Sequence, residues 1–524
     1  MSVLRYSITV SFILLCLTMA GRDIVVLYDN DVHCAVDGYA AMAELKKQYS
    51  EENDVIVVSS GDYLQGGIIG ASSKGSDIIR IMNSVGYDAV TLGNHEFDYG
   101  IDVMKQRVSE LKATVVSCNF KFEGGRVFSG YTIINRGGRR VAFVGVCTPT
   151  SIQSSTPANF MDEGGRFVYD FSWNDIVWEV QDAVDKARAE GADYVIVLSH
   201  LGEEPDERGV TSEYVISKTT GIDMLADGHS HSTIERKMVR DKNGKEVILT
   251  QTGTKFGNIG LLVIHDNGKL ENRLIRTETV EKNNDATARV IDEIRKNVNA
   301  KYGQRVGRTS VKLRIYDDNG ERLVRSQECN MGDLATDAVR MLTGAEMAFM
   351  NGGSLRVDLD EGRIRYQDLH EVEPFGCKIL MTRVTGEKIL DILEGSVAFL
   401  PEESGTFLQV SGIRFKVNAS IKSPAIFSSD GFITGYEGER RVSDVYVMQD
   451  GKWVKLEKDR EYVIATTDYC LIKKGCHNIF AGCMVEKGSE GVLMTDIMAQ
   501  YIKKNLRGKV GRQYRKQDNR IIIK

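Results

Sequence analysis

Short runs of consecutive apolar residues alternate with stretches of helical periodicity between Asp23 and about Glu281. The runs are rich in β-branched residues and stand in the segments DIVVLYDND, DVIVVSSGD, YDAVTLGNHE, ADYVIVLSH and IDMLADGHSH. A strand that is buried on both faces has this continuous apolar pattern, so the sequence predicts an α/β domain with interior strands. Each run ends in polar residues, usually with glycine, and ligands of α/β sheets bind outside the carboxyl ends of the strands.

A polar and charged stretch, TVEKNNDATARVIDEIRKNVNAKYG, follows this region. Within it Val290, Ile294 and Val298 recur every four residues, which predicts a linker followed by an amphipathic helix. After this stretch the pattern is mixed α and β to the end of the chain. Because 524 residues exceed what one hydrophobic core supports, we predict two domains. Their expected bounds are residues 21–281 and 307–524, with residues 282–306 as the linker and bridging helix.

The first twenty residues predict an export signal. Arg5 precedes a mostly apolar run of about thirteen residues, which is too short to span a bilayer comfortably, and Thr18 and Ala20 suit a cleavage site. We therefore expect a signal peptide over residues 1–20 and an exported protein, periplasmic or secreted. The residue before Cys16 is leucine, whereas a lipid-modified cysteine follows a small residue, so a lipoprotein anchor is not favoured. The rest of the sequence contains no candidate membrane span.

Charge and cysteine content narrow the possible functions. With a net charge of −6, the chain lacks the excess of positive charge that is typical of proteins that bind duplex nucleic acid. Nucleic acid is therefore not an expected partner. A small anionic substrate stays compatible with this charge, because a metal ion or an arginine cluster reverses the potential locally. The cysteines after Cys16 form no CxxC pair, and their spacing predicts no particular disulfide.

Histidines are concentrated at the predicted strand ends. The chain has eight histidines, and five of them follow an apolar run. Taken singly, the pair Asp31 and His33 is typical of a hydrogen-bonded turn, and GHSH is typical of a surface loop. Repetition at separate strand ends instead indicates a metal site, because divalent cations bind imidazole, carboxylate and amide oxygen together. The donors are His33, His95, His200, His229 and His231, with Asp62 at the end of another run.

Asp62 suits a bridging role in this predicted site. Two cations a few ångström apart need a carboxylate between them to screen their repulsion. Imidazole and carboxylate ligands accept Zn²⁺, Mn²⁺, Fe²⁺ and Co²⁺ alike. The expected cofactor is therefore a pair of divalent metal ions, with Zn²⁺, Mn²⁺ or Co²⁺ favoured and the identity left open.

These motifs resemble a known superfamily, that of the calcineurin-like metallophosphoesterases. Its segment GNHEFD, at residues 93–98, resembles the branch of 5′-nucleotidases and UDP-sugar hydrolases. The resemblance implies an α/β fold in which an N-terminal β-sandwich is flanked by helices, as four layers αββα, and is followed by a mixed α+β substrate-binding domain. The motifs that carry it are Asp31-x-His33, Gly61-Asp62, Gly93-Asn94-His95-Glu96, His200 and Gly228-His229-x-His231.

The same resemblance implies a ligand set and a catalytic pair. His95 and Asp98 are expected to form a dyad in which the imidazole donates to a phosphate oxygen or to the leaving group. Glu96 has no predicted role beyond an outer hydrogen bond. Cys34 stands where the family usually has glycine, and it is a bystander, an extra ligand for a soft metal or an oxidation-sensitive residue. The implied ligands are Asp31, His33, Asp62 and His231 for one metal, and Asp62, Asn94, His200 and His229 for the second.

The second half resembles the C-terminal substrate domain of exported 5′-nucleotidases. The segments that carry this likeness are RSQECNMGDLATDA, FMNGGSLRVDL, VEPFGCKILMTRVTG and FLQVSGIRF. Arg325, Asn351 and Arg356 are implied to receive the ribose and the charged end of a nucleotide, and Phe375 and Tyr469 to stack on its base. Without the resemblance, the two aromatic residues are typical of core positions at strand ends. The family also implies that this domain swings to carry substrate to the metals.

One departure affects the predicted specificity. After the second aromatic residue the family normally has a GGDG turn, whereas this chain has LIKKGCHNIFAG, which contains no aspartate. The substitution leaves the base and sugar specificity open and leaves the predicted metal chemistry unchanged.

Three functions follow from these features. The leading hypothesis is an exported dimetal phosphohydrolase of nucleotide catabolism that acts on nucleoside 5′-monophosphates, with a small nucleotide as its partner and an open oligomeric state. A related phosphoesterase that acts on UDP-sugars, 2′,3′-cyclic nucleotides or another phosphate ester is the alternative. A non-catalytic binding protein is disfavoured, because the full set of predicted ligands is retained.

Overall fold

The structure is a computed structural model of the chain. It describes residues 22–205, 209–281, 286–487, 489 and 491–524. The predicted signal peptide, residues 1–20, lies outside the described residues. Among the described helices, none combines the length and the apolar character needed to cross a bilayer.

The N-terminal domain is built on two six-stranded sheets that contain all five predicted strands. The three predicted strands of the first sheet pair in parallel, and so do the two of the second. The first sheet has the spatial order Leu270–Arg276, Asn258–Ile264, Ile24–Asp29, Asp54–Ser59, Ala89–Val90 and Thr114–Val115. The second has the order Thr233–Arg240, Glu246–Thr252, Met224–Ala226, Tyr194–His200, Arg139–Cys147 and Tyr131–Arg136.

The two sheets pack face to face, and helices cover both outer faces. Val26, Ile56, Ile196 and Met224 belong to the apolar cluster between the sheets. This arrangement is the predicted four-layer αββα sandwich, and it explains why the strands are apolar on consecutive residues. The outer helices are Asp37–Tyr49, Gly67–Ser73, Ser76–Val85 and Ile101–Glu110 beside the first sheet, and Ile176–Ala189 and Ser212–Lys218 beside the second.

A helix over Ala286–Tyr302 follows the N-terminal domain, as the periodicity predicts. Its buried residues include Ile291, Ile294 and Val298, which join the apolar cluster beneath the first sheet. Val290 is only half-buried, since the apolar stripe passes through the neighbouring Ile291 instead. The helix therefore packs against the N-terminal domain and leads into the strand Arg305–Thr309.

The C-terminal domain is mixed α and β, as predicted, and has a central five-stranded sheet. Alternate residues of the strand Met347–Asn351 enter different apolar clusters, Ala348 on one face and Phe349 on the other. The helix Asn330–Thr343 covers the first face, and the helix Gly386–Ser396 covers the second. The sheet has the order Leu408–Ser411, Met347–Asn351, Glu461–Thr467, Lys378–Thr385 and Val492–Leu493.

Smaller elements complete this domain. Two further helices are Tyr366–Val372 and Met494–Gln500. A four-stranded sheet has the order Lys452–Lys455, Val442–Gln449, Ile413–Val417 and Ile521–Ile523. A three-stranded sheet has the order Gly362–Arg365, Arg305–Thr309 and Lys509–Val510.

Candidate active site

The polar residues that follow the N-terminal strands converge at one edge of the sandwich. Asp29 pairs with Ser59, and Ser59 pairs with Val90, so the turns after these three strands are neighbours. Five of the candidate ligands have left-handed backbone conformations, which residues other than glycine adopt at a cost and which cluster at functional sites. They are Asp31, His33, Asp62, His229 and His231, with φ between 42° and 77°.

Asp31, His33 and His231 form one side of the donor cluster. The Nε2 atoms of the two histidines are 3.1 Å apart. Asp31 Oδ1 lies 3.5 Å from Nε2 of His231 and 3.9 Å from Nε2 of His33. These atoms belong to a group of metal-ligating side chains that lie within 4.8 Å of one another.

Asp62 and His200 form the opposite side of the cluster. His200 Nε2 is 3.1 Å from Asp62 Oδ2 and 3.7 Å from Asp31 Oδ1. The side-chain oxygen of Asn94 lies 3.0 Å from His229 Nδ1, and the backbone N–H of His229 donates to Asp31 at 2.9 Å. The structure thus brings all seven candidate ligands into one cluster, in which Asp31 and Asp62 both lie within 4 Å of His33 and His200.

The donor set fits divalent cations. Within the described part of the chain, Asp31 Oδ1 and His200 Nε2 are buried without a hydrogen-bond partner, although each faces the cluster. Burial alone lowers the pKa of His200, but Asp62 and Asp31 outweigh it and raise that pKa to about 10. Burial lowers the pKa of His229 to about 3, which keeps this imidazole in the neutral form that binds metals. The cluster therefore attracts positive charge, and His229 offers a neutral nitrogen ligand.

Contacts outside the cluster fix the orientation of its ligands. His200 Nδ1 is 2.7 Å from the carbonyl oxygen of Ser60, and His33 Nδ1 is 3.3 Å from that of Gln65. These contacts leave Nε2 of both rings directed at the carboxylates, as metal-binding histidines require. A Cβ atom on Gly93 would stand 2.2 Å from Asp62 Oδ1, so a larger residue there would displace the carboxylate.

Glu96 organises the site in a way that the sequence does not reveal. Its buried carboxylate accepts four backbone N–H bonds, from Asp62, Tyr63, Leu64 and Gly93, at 2.6 to 3.0 Å. The side chain therefore ties the turn that carries Asp62 to the turn that carries the GNHE segment. Bonds from backbone N–H groups leave no pattern in the sequence, so no more than an outer hydrogen bond was predicted for Glu96.

His95 and Asp98 are in direct contact at the edge of the cluster. His95 Nδ1 lies 2.6 Å from Asp98 Oδ2, and Ser155 Oγ donates to Asp98 Oδ1 at 2.7 Å. Burial alone lowers the pKa of His95, but the charges of Asp98 and Asp62 outweigh it and raise that pKa. Because Nδ1 faces Asp98, the other ring nitrogen is the one left to meet a substrate.

Cys34 does not have the geometry of a metal ligand. Its Sγ faces the carbonyl oxygens of Leu64 and Tyr63, at 3.4 and 3.7 Å. Burial raises the pKa of this thiol, so the thiolate that binds metals is disfavoured. These contacts favour the bystander hypothesis among the three.

A cavity of about 400 Å³ lies between the two domains and adjoins the cluster. The strands Met347–Asn351 and Glu461–Thr467 are parallel neighbours, so Asn351 and Tyr469 reach the same sheet edge. The antiparallel neighbour of the second strand begins at that edge, close after Phe375. The N-terminal residues His95, Asp98, Asn94 and His229 and the C-terminal residues Arg325, Asn351, Arg356, Phe375 and Tyr469 all line this cavity.

Phe375 and Tyr469 are placed differently within the cavity. The ring centroid of Phe375 is 6.0 Å from that of His95, and Arg356 Cζ lies 5.7 Å from the same Phe375 centroid. Tyr469 packs its ring against Gly475 and donates its hydroxyl to the carbonyl oxygen of Gln153 at 3.3 Å. The Tyr469 side chain therefore also contacts the N-terminal domain.

Three arginines concentrate positive charge in the cavity. Burial, together with Arg322 and Arg356, lowers the pKa of Arg325 to about 9. Burial also lowers the pKa of Arg356. Arg322, which was not predicted from the sequence, also lines the cavity and pairs with Glu403 at 2.7 Å. Because Arg322 is only three residues from Arg325 in the sequence, this spacing could have predicted that Arg322 lies near the same site. The positive charges of neighbouring guanidinium groups repel one another unless an anion binds between them.

The described fold of the N-terminal half is that of a metallophosphoesterase domain, and comparison with known proteins identifies both domains of the chain. The family model for calcineurin-like phosphoesterase matches residues 25–233, and the model for the 5′-nucleotidase C-terminal domain matches residues 305–482. The chain thus combines a calcineurin-like phosphoesterase domain with a 5′-nucleotidase C-terminal domain.

Individual relatives cover most of this chain. A snake venom 5′-nucleotidase from Gloydius brevicauda is 25% identical, with 96% of this chain and 89% of that protein covered. A trifunctional nucleotide phosphoesterase from Bacillus subtilis is 26% identical over 85% of this chain, and the match spans only 32% of that longer protein. The crystal structure of a 5′-nucleotidase precursor from Thermus thermophilus has the same fold, with a TM-score of 0.78, 23% identity, and 96% of this chain and 99% of that chain covered.

We expect Glu96→Gln to weaken the binding of divalent cations by about 10- to 100-fold. Glutamine has one acceptor oxygen in place of two, so buried N–H groups lose partners, at a cost of about 1–3 kcal/mol in the free energy of unfolding. Titration with Co²⁺ and denaturant unfolding measure both effects. Glu293→Gln is the matched control, because Glu293 is exposed and pairs with Arg80 at the surface. Equal cation affinity in the Glu96 variant and the control would remove Glu96 from the organisation of the site.

Proposed function

We propose that this protein is an exported phosphohydrolase that removes phosphate from nucleoside 5′-monophosphates. The observation that carries the proposal is the cavity of about 400 Å³, which joins the donor cluster to arginine and aromatic side chains of the other domain. When the phosphate of a nucleotide lies at the donor cluster, the ribose and base of that nucleotide are within reach of the C-terminal residues. Neither half of the cavity alone offers groups for both the phosphate and the nucleoside.

The donor cluster would hold two divalent cations. Asp31, His33, Asp62 and His231 suit one position, and Asp62, Asn94, His200 and His229 suit the other. Zn²⁺, Mn²⁺ or Co²⁺ bound there would polarise phosphoryl oxygens and lower the pKa of the attacking water. The protein's part is to hold these donors in place, through Glu96 and the carbonyl contacts of the histidines.

His95 would supply the proton and charge stabilisation on the substrate side. Its contact with Asp98 keeps Nδ1 protonated and turns the opposite nitrogen toward the cavity. Burial lowers the pKa of His95, but the charge of the adjacent Asp98 raises it and favours the imidazolium, which donates a hydrogen bond to a phosphoryl oxygen or to the leaving group. Asp98 is held in turn by Ser155, so the dyad is oriented before substrate binds.

The C-terminal residues would bind the nucleoside and orient it. Arg325 and Arg356 present forked donors to ribose hydroxyls or to a charged group. The oxygen of Asn351 accepts from Ser354 at 2.6 Å, which orients its amide. Phe375 offers a base-stacking face next to His95, and Tyr469 supports the opposite wall.

The apolar N-terminal segment supports export to a periplasmic or extracellular location. Relatives named as venom 5′-nucleotidases are compatible with this location.

One observation favours a broader substrate range. A second cavity, of about 700 Å³, shares His229, His231 and the three arginines with the first. A substrate with a further group beyond its phosphate, such as a UDP-sugar or a cyclic nucleotide, has room there. The segment LIKKGCHNIFAG, which stands in place of the family's GGDG turn, also supports a broader substrate range.

A substrate panel tests which function is correct. With Mn²⁺ or Co²⁺ supplied, we expect the mature protein to hydrolyse AMP with a much higher kcat/KM than an aryl phosphate, UDP-glucose or 2′,3′-cyclic AMP. Phe375→Ala should raise the KM for AMP roughly five- to a hundredfold, because base stacking contributes about 1–3 kcal/mol, and leave the aryl phosphate unchanged. Phe122→Ala is the matched control, since Phe122 is exposed in the N-terminal domain.

Other outcomes of the panel are equally informative. Preference for UDP-glucose or the cyclic nucleotide would support the broader substrate range over the monophosphate. Equal loss on AMP and the aryl phosphate in the Phe375 variant would make Phe375 a structural residue. The absence of turnover with every metal would support a binding protein.

We expect His95→Ala to lower kcat by about a hundredfold or more while cation binding is retained, as for the loss of a general acid. His265→Ala provides the control, because His265 is a half-exposed histidine of the same domain that pairs with Asp23. Steady-state kinetics and metal analysis of both variants are the measurements. Wild-type kcat in the His95 variant would exclude His95 from the mechanism.

A further inference from the structure

Two cysteines of the C-terminal domain have sulfur atoms in contact. Cys470 lies in the short helix Asp468–Leu471, and Cys476 begins the turn Cys476–Asn478. Their Sγ atoms are 3.1 Å apart, and both residues are buried. Since a disulfide has an S–S distance of about 2.05 Å, a relative movement of about 1 Å would allow the bond to form.

We propose that Cys470 and Cys476 form a disulfide in the mature protein and that this bond stabilises the wall of the substrate cavity next to Tyr469. The proposal relies on the proposed export, because disulfides persist in oxidising compartments. The existence of the bond does not depend on the proposed catalytic activity.

The oxidant would be the active-site disulfide of a thiol–disulfide oxidoreductase. One cysteine thiolate attacks this disulfide, breaks its S–S bond and forms a mixed disulfide, which releases one donor thiolate. The second cysteine thiolate attacks the mixed disulfide, forms the bond between Cys470 and Cys476 and releases the other donor thiolate. The donor thus gains two electrons and the two protons that the cysteines lose.

The bond is expected to form during folding rather than afterwards. Both sulfur atoms are buried in the folded domain, where an oxidoreductase has no access to them. Burial, with Cys470 nearby, also raises the pKa of the Cys476 thiol, which makes it a poor nucleophile once folded.

Three other cysteines of the described chain have different sulfur contacts. Cys34 Sγ faces backbone carbonyls, Cys147 Sγ contacts the hydroxyl of Ser151, and Cys329 Sγ accepts from the backbone N–H of Gly332. The contact between Cys470 and Cys476 is therefore a specific feature of the segment after Tyr469.

The segment between the two cysteines connects the cavity wall to the N-terminal domain. The backbone N–H of Ala158 donates to the carbonyl oxygen of Lys473 at 3.2 Å, and Lys474 Nζ contacts Met161 Sδ at 3.3 Å. Tyr469 packs against Gly475 within the same segment. A bond across the segment would restrict these contacts together and keep the aromatic wall in place.

Cys470 also contacts a residue that we place in the binding site. Its thiol lies 3.6 Å from Asn351 Oδ1, which Ser354 Oγ contacts at 2.6 Å as well. Oxidation removes the thiol donor and leaves the hydroxyl donor, so Asn351 stays oriented. The disulfide is thus compatible with nucleotide binding.

Peptide mapping tests the bond directly on full-length protein exported to an oxidising compartment. Alkylation before reduction, followed by trypsin, should give a linked pair of peptides, because Lys473 and Lys474 separate the two cysteines. The linked pair should persist in Cys483→Ser, the matched control on the same tryptic peptide as Cys476, and disappear in Cys476→Ser. Alkylation of all eight described cysteines without reduction, or a link to Cys483 instead, would overturn the proposal.

Kinetics test the effect on the cavity wall. Reduction of the wild-type protein should raise the KM for AMP by at least about threefold. Without the bond the cavity wall is less ordered, so part of the binding free energy is used to order it. The double variant Cys470→Ser/Cys476→Ser should have the raised KM with or without reductant. An unchanged KM after complete reduction would overturn the stabilising role. If AMP is not a substrate, peptide mapping still decides whether the bond exists.

Discussion

The site depends on the burial of two carboxylates at the ends of neighbouring parallel strands. Asp31 and Asp62 are both buried, and His200 Nε2 lies 3.7 Å from one and 3.1 Å from the other. Buried charges are costly unless they are paired or bind cations, so this arrangement requires positive charge at its centre. The left-handed turns, the small residue at Gly93 and the four N–H bonds to Glu96 are all explained by the need to hold these groups together.

The two domains contribute different parts of the chemistry. The sandwich supplies the donors and the dyad of His95 and Asp98, where phosphate chemistry is expected. The C-terminal sheet edge supplies arginine and aromatic side chains, which we propose recognise the rest of a substrate. Contacts such as that of the Tyr469 hydroxyl with Gln153 join the two halves across the cavity.

Much of this arrangement can be predicted from the sequence, because strands buried on both faces and rare polar side chains at their ends leave clear patterns. The bridging helix was also predicted, although its buried stripe passes through Ile291 and not Val290. For Glu96 only an outer hydrogen bond was predicted, and not its link between two turns, because its partners are backbone groups. The contact between Cys470 and Cys476 depends on how one loop folds back, which cysteine spacing does not encode.

The central claim is that Asp62 is shared by two bound cations. Metal analysis of wild-type protein and Asp62→Asn, each loaded with Co²⁺ and freed of excess metal, tests it most directly. The account predicts about two cations per chain in the wild type and a loss of at least one in the variant, with the fold retained by circular dichroism. A wild-type protein that binds no cation, or a variant that retains both with unchanged affinity, would contradict it.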